Sequence, residues 1–288
     1  MEKIKVYHVG VIDGDSAYLI DDGKTAILYD TSFAFVGDKL TENIKNILGD
    51  RPLDYIFLTH SHYDHVLGSV YVKKHYTQAK IVAGEYAAKI FEKPTAKALM
   101  RELDKSYALA QGISEYEDLI DNLSVDISVK DNDILVAGDM TFEVLNLPGH
   151  TKCSIGFYLK DQKLLLGCET LGLYSGNEDV MPCYLVGYEM AINSINRVKQ
   201  MDIKNILVSH YGLLNPEETK IYLEKGYENA RLVAEDIVEI FKNGGSEEDA
   251  FEYISNRFYK GRLKEVYPLD AMTLNTNIMI NLIKKELL

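Results

Sequence analysis

The stretch THSHYDH, Thr59–His65, holds three of the seven histidines of this 288-residue chain, together with one aspartate. It directly follows the apolar run "DYIFL", whose pattern predicts a buried strand. In an extended segment alternate side chains point the same way, so three of these side chains can converge on one point. Imidazole nitrogen and carboxylate oxygen are usual ligands for zinc and also suit iron. The candidate metal ligands of this stretch are His60, His62, Asp64 and His65.

The alternative interpretation of this stretch is a polar surface loop, or histidines that cap a helix. That interpretation fits a single histidine better than a cluster. Several imidazoles with pKa values near ~6.5 would repel one another if they were protonated so close together. A bound metal ion holds them neutral, so the pattern favours a metal site.

Composition narrows the possible functions. The formal net charge is −13 and no basic run is present, which argues against DNA or RNA as a partner. No apolar stretch is long enough to predict a membrane span. The first residues, "MEKIKVYHVG", lack the pattern of a signal peptide, so we expect a cytoplasmic protein. Cys153, Cys168 and Cys183 are expected to be reduced thiols.

The periodicity of the chain predicts an α/β protein. Short strand-like runs separated by turn residues, such as "SAYLIDD" and "TAILYDT", fill much of the first half. Residues from about 85 to 122 are helical in composition and look like an insert, in which Leu99, Leu103 and Tyr107 share one helical face. From Pro216 onward the chain predicts helices.

The motifs together identify a resemblance. "THSHYDH" resembles the metal signature of the metallo-β-lactamase-fold hydrolases, and "LPGHT" (147–151) and "ILVSHYG" (206–212) resemble that family's later histidine motifs. "LYDTS" (28–32) is similar to its early strand, where Asp30 would support the metal loop. The resemblance implies a four-layer αβ/βα sandwich, with a catalytic domain over residues 1–215 that includes the helical insert. Residues 216–288 would be a helical extension packed on the same domain.

The resemblance also implies two adjacent metal sites with two divalent ions, either zinc or iron, with manganese as a further option. His60, His62 and His150 would hold one ion, and Asp64, His65 and His210 would hold the other. A hydroxide would bridge the two ions and act as the nucleophile. Asp64 would also be catalytic, because it could steer that hydroxide or take its proton.

One position departs from the family pattern. Where the family has a bridging aspartate, this chain reads "LLLGCETLG" (164–172), so Cys168 and Glu169 compete for the role. Adjacent strand residues face opposite ways, so only one can face the metals. Alignment of the following "TLG" favours Glu169 as the bridge and leaves Cys168 as a small buried residue. A thiolate ligand at Cys168 is the alternative.

The expected activity follows from the same resemblance. The segment "CETLGLY" (168–174) and the helical C-terminus are similar to a subgroup that includes the quinolone-signal thioesterase. This implies hydrolysis of a small ester, thioester or lactone. Three tyrosines near the motifs could donate a hydrogen bond to a developing oxyanion, or could be core residues: Tyr174, Tyr184 and Tyr211.

Two other functions stay open at this stage. One is a phosphodiesterase that acts on a small molecule, and the other is a weakly active, metal-bound sensor or regulatory module. The expected partners are a small-molecule substrate and, because the added helices carry apolar faces, a second copy of the chain in a homodimer. His8 and His75 match no motif and are expected to be structural or surface residues.

Overall fold

The computed structural model describes residues 4–176 and 179–288. The chain forms two compact units, the first ending at Leu145 and the second beginning at Asn146. Both units contain strands and helices, which confirms the predicted α/β class. The division expected at residue 215 stays a prediction.

The first unit is built on a six-stranded sheet whose strand order follows the chain order. Its first three strands are antiparallel, and the following pairs are parallel. β7 and β8, which follow in the chain and lie outside this sheet, pair with each other antiparallel. The strands are β1 (Lys5–His8), β2 (Tyr18–Asp21), β3 (Ala26–Tyr29), β4 (Tyr55–Phe57), β5 (Lys80–Gly84), β6 (Ile127–Val129), β7 (Ile134–Ala137) and β8 (Met140–Asn146).

The parallel strands of the first unit bring two loops to one edge of the sheet. β3 and β4 are neighbours and run in the same direction, so the residues that follow them meet at the same edge. β3 leads into Asp30, and β4 leads into the histidine stretch that begins at Thr59. Both strands are almost fully buried, which gives the two loops a rigid base.

Five helices belong to the first unit: α1 (Gly37–Leu48), α2 (Tyr63–Val66), α3 (Ser69–His75), α4 (Glu85–Phe91) and α5 (Pro94–Ala110). The first ends at Gly49, whose φ of 62° suits glycine. α4 and α5 lie in the predicted insert. Leu99 and Leu103, which the periodicity places on one face of α5, are 56% and 38% exposed. The buried stripe is instead Met100, Asp104 and Ala108.

The hydrogen bonds of Asp104 explain why α5 buries the face that carries this residue. Its carboxylate is buried, and it accepts hydrogen bonds from the backbone N–H of Ala34 and from the hydroxyl of Tyr116. Burial raises the pKa of Asp104 to about 6, although the Tyr116 and Ala34 hydrogen bonds oppose the increase. Around it, Phe33 and Phe35 pack against Tyr107 and Ala108. The insert is therefore fastened to the chain that follows Asp30.

The second unit contains a sheet in which β9, β10, β13 and β14 are neighbours in that order, and a separate two-stranded pair of β11 and β12. β10 and β13 are parallel, and Glu169 and His210 follow these two strands. The strands are β9 (Ile155–Leu159), β10 (Leu164–Leu166), β11 (Leu173–Tyr174), β12 (Val180–Met181), β13 (Asn205–Val208) and β14 (Gly212–Leu213).

The helices of the second unit are α6 (Tyr188–Lys199), α7 (Pro216–Lys242), α8 (Glu247–Phe258), α9 (Arg262–Val266) and α10 (Leu269–Leu287). α7 begins with a capping box at Asn215, and α8 begins with one at Ser246 and Asp249. The core face of α7 includes Val233 and Ile237. Within residues 4–176 and 179–288, no helix is both long enough and apolar enough to cross a membrane.

Candidate metal centre

The histidine stretch of the first unit forms a tight cluster of rings. The ring centre of His60 lies 4.6 Å from that of His62 and 4.2 Å from that of His65. His60 and His65 are fully buried, and Asp64 Oδ2 lies 3.6 Å from Nε2 of His65. All four predicted ligands of this stretch are therefore grouped in one place. Such a cluster of buried imidazoles with a carboxylate is the donor set of a zinc or iron site.

Asp30 organises this cluster. Its backbone has a φ of 51°, an uncommon conformation for a residue other than glycine. Its Oδ2 accepts a hydrogen bond from Nδ1 of His65 at 2.7 Å. Its Oδ1 accepts the backbone N–H of Thr59 at 2.9 Å, and the Thr59 hydroxyl donates to the same carboxylate. The fully buried carboxylate therefore holds the start of the histidine stretch in place.

Thr59 passes this orientation on to His60. Since the Thr59 hydroxyl donates its proton to Asp30, its oxygen is left to accept from Nδ1 of His60 at 2.9 Å. Both buried histidines thus have Nδ1 tied, directly or through one hydroxyl, to Asp30. A histidine that binds metal through Nε2 normally donates its other ring N–H in this way.

The backbone of His65 is fixed by Thr31. The carbonyl of His65 accepts the Thr31 N–H at 2.7 Å and the Thr31 hydroxyl at 2.9 Å. Gly68 makes this close approach possible, since a Cβ at residue 68 would lie 1.9 Å from the carbonyl oxygen of Thr31. The glycine after the histidine stretch is therefore a steric requirement of the loop.

In the second unit, His150 is fixed by its neighbours in the loop after β8. Its backbone N–H donates to the hydroxyl of Thr170 at 3.2 Å, and its Nδ1 donates to the carbonyl of Cys183 at 3.0 Å. The preceding Gly149 has a φ of 146°, and a Cβ there would lie 2.6 Å from Cα of Ala191 on α6. Close packing against α6 therefore requires a glycine directly before His150.

Glu169 lies between two of the predicted histidine ligands. Its Oε2 is 2.8 Å from Nε2 of His150, and its Oε1 is 3.4 Å from Nε2 of His210. Burial disfavours protonation of His150, but the charge of Glu169 and the contact with Cys183 outweigh this, so the pKa of His150 is raised. One carboxylate that meets two imidazoles through its two oxygens has the arrangement of a bridging ligand.

Cys168 has the surroundings of a packing residue. It is 2% exposed, and burial raises the pKa of its thiol to about 12. A thiol with that pKa is protonated at neutral pH. This agrees with the interpretation of Cys168 as a small buried residue.

His210 follows β13 in a left-handed conformation, with a φ of 63°. Its carbonyl accepts a hydrogen bond of 3.3 Å from Nη2 of Arg262, and its Nε2 faces Glu169. Uncommon backbone conformations of this kind are often found at functional sites. His210 is therefore positioned by the backbone turn after the strand and by a contact from α9.

The residues described fit a metal-binding role on this local geometry. In His60, His65 and His150, Nδ1 is engaged by an oxygen of the same unit, while Nε2 is the atom presented to neighbouring side chains. Within each unit the candidate ligand atoms are close: those of His60 and His62, of Asp64 and His65, and of His150 and Glu169 lie within 4.8 Å of each other.

The remaining predicted positions have simpler roles. His75 is exposed, and His8 contacts the carboxylate of Asp15 at 3.1 Å. Tyr184 is buried and donates to the carbonyl of Ala230, so it is a core residue. Sequence reasoning did not find Arg262. It lies 52 residues beyond His210, and only the left-handed Gly261 before it marks a change of chain direction.

Comparisons with known proteins agree with this geometry. A profile described as the Metallo-beta-lactamase superfamily matches residues 12–211. Hydroxyacylglutathione hydrolase 1 of Vibrio vulnificus is 29% identical over 222 residues, which are 75% of this chain and 71% of that enzyme. Hydroxyacylglutathione hydrolase of Ectopseudomonas mendocina is 31% identical over 123 residues, 43% of this chain and 35% of that enzyme.

Solved structures show the same fold. A metallo-β-lactamase family protein from Thermus thermophilus has a TM-score of 0.63 at 16% identity, covering 97% of this chain and 90% of that one. An archaeal metallo-β-lactamase superfamily protein from Sulfolobus tokodaii has a TM-score of 0.59 at 20% identity, covering 78% of this chain and 86% of that one. These likenesses extend the sequence match to the architecture.

Proposed function

The chain belongs to the metallo-β-lactamase superfamily, and from this premise we propose that it is a dinuclear metallohydrolase that cleaves a small thioester. Two of the similar proteins are named for hydrolysis of hydroxyacylglutathione, which is a thioester, and this supports the choice of bond. An ester or lactone with the same reacting carbonyl would be a poorer or secondary substrate.

The proposed ligand sets follow the family pattern. His60, His62 and His150 hold one divalent ion, and Asp64, His65 and His210 hold the other. Glu169 takes the place of the family's bridging aspartate, and the two short contacts of its carboxylate with histidine Nε2 atoms support this. The ions are zinc or iron by ligand type, since imidazole and carboxylate serve both.

The anchoring of Nδ1 is the observation that carries the proposal. A histidine buried only for packing can use either ring nitrogen for a hydrogen bond, and any nearby polar group can be its partner. Here three histidines of separate motif positions use the same nitrogen, Nδ1, for hydrogen bonds to a hydroxyl, a carboxylate and a carbonyl. Engagement of Nδ1 leaves Nε2 as the ring nitrogen that faces the neighbouring candidate ligands, and this is the atom that would coordinate a metal after it loses its proton.

The chemistry divides between the ions and the side chains. When bound, two divalent ions would lower the pKa of a water molecule toward ~7 and polarise the carbonyl of the substrate. Asp64 is partly exposed, at 22% of its side chain, so it can reach both solvent and substrate. We assign its Oδ2 to hold the attacking water in line and to accept its proton. Glu169 is buried and places its carboxylate between His150 and His210.

The first experiment is elemental analysis of metal content in wild type, Glu169→Ala and Cys168→Ala. We expect about two ions per chain in wild type and a clear loss in Glu169→Ala. Cys168→Ala is the matched control, since it removes a buried neighbour of similar size without removing a ligand, and it should keep the wild-type content. If Cys168→Ala lost metal and Glu169→Ala kept it, Cys168 would replace Glu169 as the proposed bridging ligand.

The second experiment tests the bond that is cut. Metal-loaded wild type is assayed against matched acyl thioesters, oxygen esters and a nitrophenyl phosphodiester, with Asp64→Asn beside it. We expect turnover to be fastest on a thioester and to fall by about 10²-fold or more in Asp64→Asn. Faster turnover of the phosphodiester would replace the proposal with a phosphodiesterase. Bound metal with negligible turnover on all three would favour a sensor.

A further inference from the structure

We propose that Arg262 and Tyr211 form a binding site for one anionic group of the substrate, either a carboxylate or a phosphate. This rests on the proposed hydrolase function and narrows its substrate class. The preferred thioester would carry a negative charge away from the bond that is cut.

The site is an open cavity in the second unit. Its volume is about 520 Å³, and its lining residues are Ser175, Gly176, Tyr211 and Arg262. Tyr211 directly follows His210, and Arg262 donates a hydrogen bond to the carbonyl of His210. The cavity therefore adjoins a proposed metal ligand without containing one, which is where a group remote from the reacting carbonyl would lie.

Within the described part of the chain, Arg262 is a cation that no acidic side chain neutralises. Among residues 4–176 and 179–288 it forms no ion pair, whereas Arg51, Arg101 and Arg257 each pair with an aspartate. Its Nε is buried and has no hydrogen-bond partner in the described part of the chain. In a protein with a net charge of −13, such a guanidinium stands out as a local positive site.

Tyr211 supplies a second donor on the same cavity. The guanidinium of Arg262 lies 5.2 Å from the ring centre of Tyr211, so the two side chains support each other. A Cβ at Gly176 would lie 3.2 Å from Cε2 and 3.4 Å from the hydroxyl of Tyr211, so glycine allows the chain to pass close to this edge of the ring.

The chemistry of these groups selects an anion. A guanidinium only donates hydrogen bonds, and its planar fork matches the oxygens of a carboxylate or phosphate. The phenol can add a third donor. A neutral or cationic group would leave these donors without strong acceptors.

The fold also holds Arg262 in place. Gly261, with a φ of 52°, turns the chain immediately before α9, and Leu263 on the same short helix is only 4% exposed. The backbone of Arg262 is therefore held in place by the buried side chain of the next residue, Leu263. Pre-organisation of this kind reduces the entropy lost on binding.

The test uses metal-loaded protein and two pairs of non-hydrolysable thioethers. One pair ends in a carboxylate or its carboxamide, and the other ends in a phosphate monoester or its alcohol. Calorimetry on wild type should show about tenfold or tighter binding of the anionic member of at least one pair. The pair with the larger ratio identifies the anion. Arg262→Gln should abolish the preference for the anionic member within each pair.

Arg231→Gln is the matched control. It removes one positive charge from an exposed ion pair with Glu235 on α7 and should keep the preference. Tyr211→Phe should reduce the preference a few-fold, and it serves as the test if Arg262→Gln does not fold by circular dichroism. The anion site would be overturned if wild type showed no preference for the anionic ligand, or if Arg262→Gln kept that preference. It would also be overturned if Arg231→Gln lost the preference to the same extent as Arg262→Gln, or if Tyr211→Phe left it unaltered.

Hydrolysis of the matched thioesters separates the two proposals. Arg262→Gln should raise the ratio of KM for the anionic thioester to KM for the neutral thioester by about tenfold. Any change of kcat through the lost contact with His210 should be the same for both thioesters. If wild type hydrolyses neither thioester, the hydrolase proposal fails, while the calorimetry still decides the anion site. If it hydrolyses both with the same KM, the anion site fails and the hydrolase proposal stands.

Discussion

The carboxylate of Asp30 lies 2.7 Å from Nδ1 of His65. This contact, with the one through Thr59 to His60, makes a single buried side chain responsible for the orientation of two proposed ligands.

Asp30→Asn should weaken metal binding by about 10- to 100-fold. The amide nitrogen of asparagine cannot accept the hydrogen bond that the Nδ1–H of His65 donates to Asp30. Competition with a chelator measures the dissociation constant. Asp139→Asn, which removes an exposed partner of Lys24, is the control and should leave metal binding unchanged. Wild-type affinity in Asp30→Asn would show that the orientation of His65 does not depend on this carboxylate.

Gly68→Ala should destabilise the first unit by about 2–3 kcal/mol or more, since the new methyl would collide with the carbonyl of Thr31 and push the loop away. Urea unfolding followed by circular dichroism measures the change. Gly112→Ala is the contrast: its φ of 78° is unfavourable for alanine, but no atom lies within 4 Å, so a cost of about 1 kcal/mol is expected. Equal effects of the two substitutions would contradict the steric argument.

Asp104 should make stability depend on pH. Its pKa in the folded chain is about 6, above the ordinary value of 3.8, so the folded state binds its proton more tightly than the unfolded state does. The resulting stabilisation is complete below about pH 4 and is lost as the pH rises through 6. The linkage amounts to about 3 kcal/mol at most.

Asp104→Asn isolates this contribution from that of the other carboxylates. The asparagine can keep the hydrogen bond from Ala34 but does not titrate. We expect the difference in unfolding free energy between wild type and Asp104→Asn to move in favour of the variant between pH 4 and pH 7. Urea titrations at several pH values check this, and parallel curves for the two proteins would rule it out.

The cysteines should be unreactive in the folded protein. All three are buried, and burial raises the pKa of Cys168 to about 12. A thiol-specific reagent at pH 8 should therefore modify none of them on a timescale of minutes and all three after addition of denaturant. Rapid modification of Cys168 in the native protein would mean that its thiol is exposed or activated, and would reopen its candidacy as a metal ligand.

Much of this fold could be predicted from local patterns. Buried strands such as β3 and β4 are continuous apolar runs, and the start of α8 is marked by Ser246 and Asp249, whose capping box the structure contains. The grouping of His60, His62, Asp64 and His65 follows from their spacing alone. These features depend on residues close together in the chain.

Features that depend on distant residues could not be predicted. Periodicity places Leu99 and Leu103 on one face of α5, but the buried stripe contains Asp104, whose hydrogen bonds to Ala34 and Tyr116 exist only after folding. In β7, Ile134 and Val136 are exposed although both are apolar, because the other face of the strand is the one that is covered.

The network centred on Asp30 has a consequence for biosynthesis. The two residues that it joins most tightly, Asp30 and His65, are 35 positions apart, and every contact of the network lies within the first unit. During translation, N-terminal segments emerge and fold first. The histidine stretch can therefore adopt its oriented form on the ribosome before His150, Glu169 and His210 have been synthesised. The nascent chain would then present half of the proposed ligand set to the metal pool of the cell.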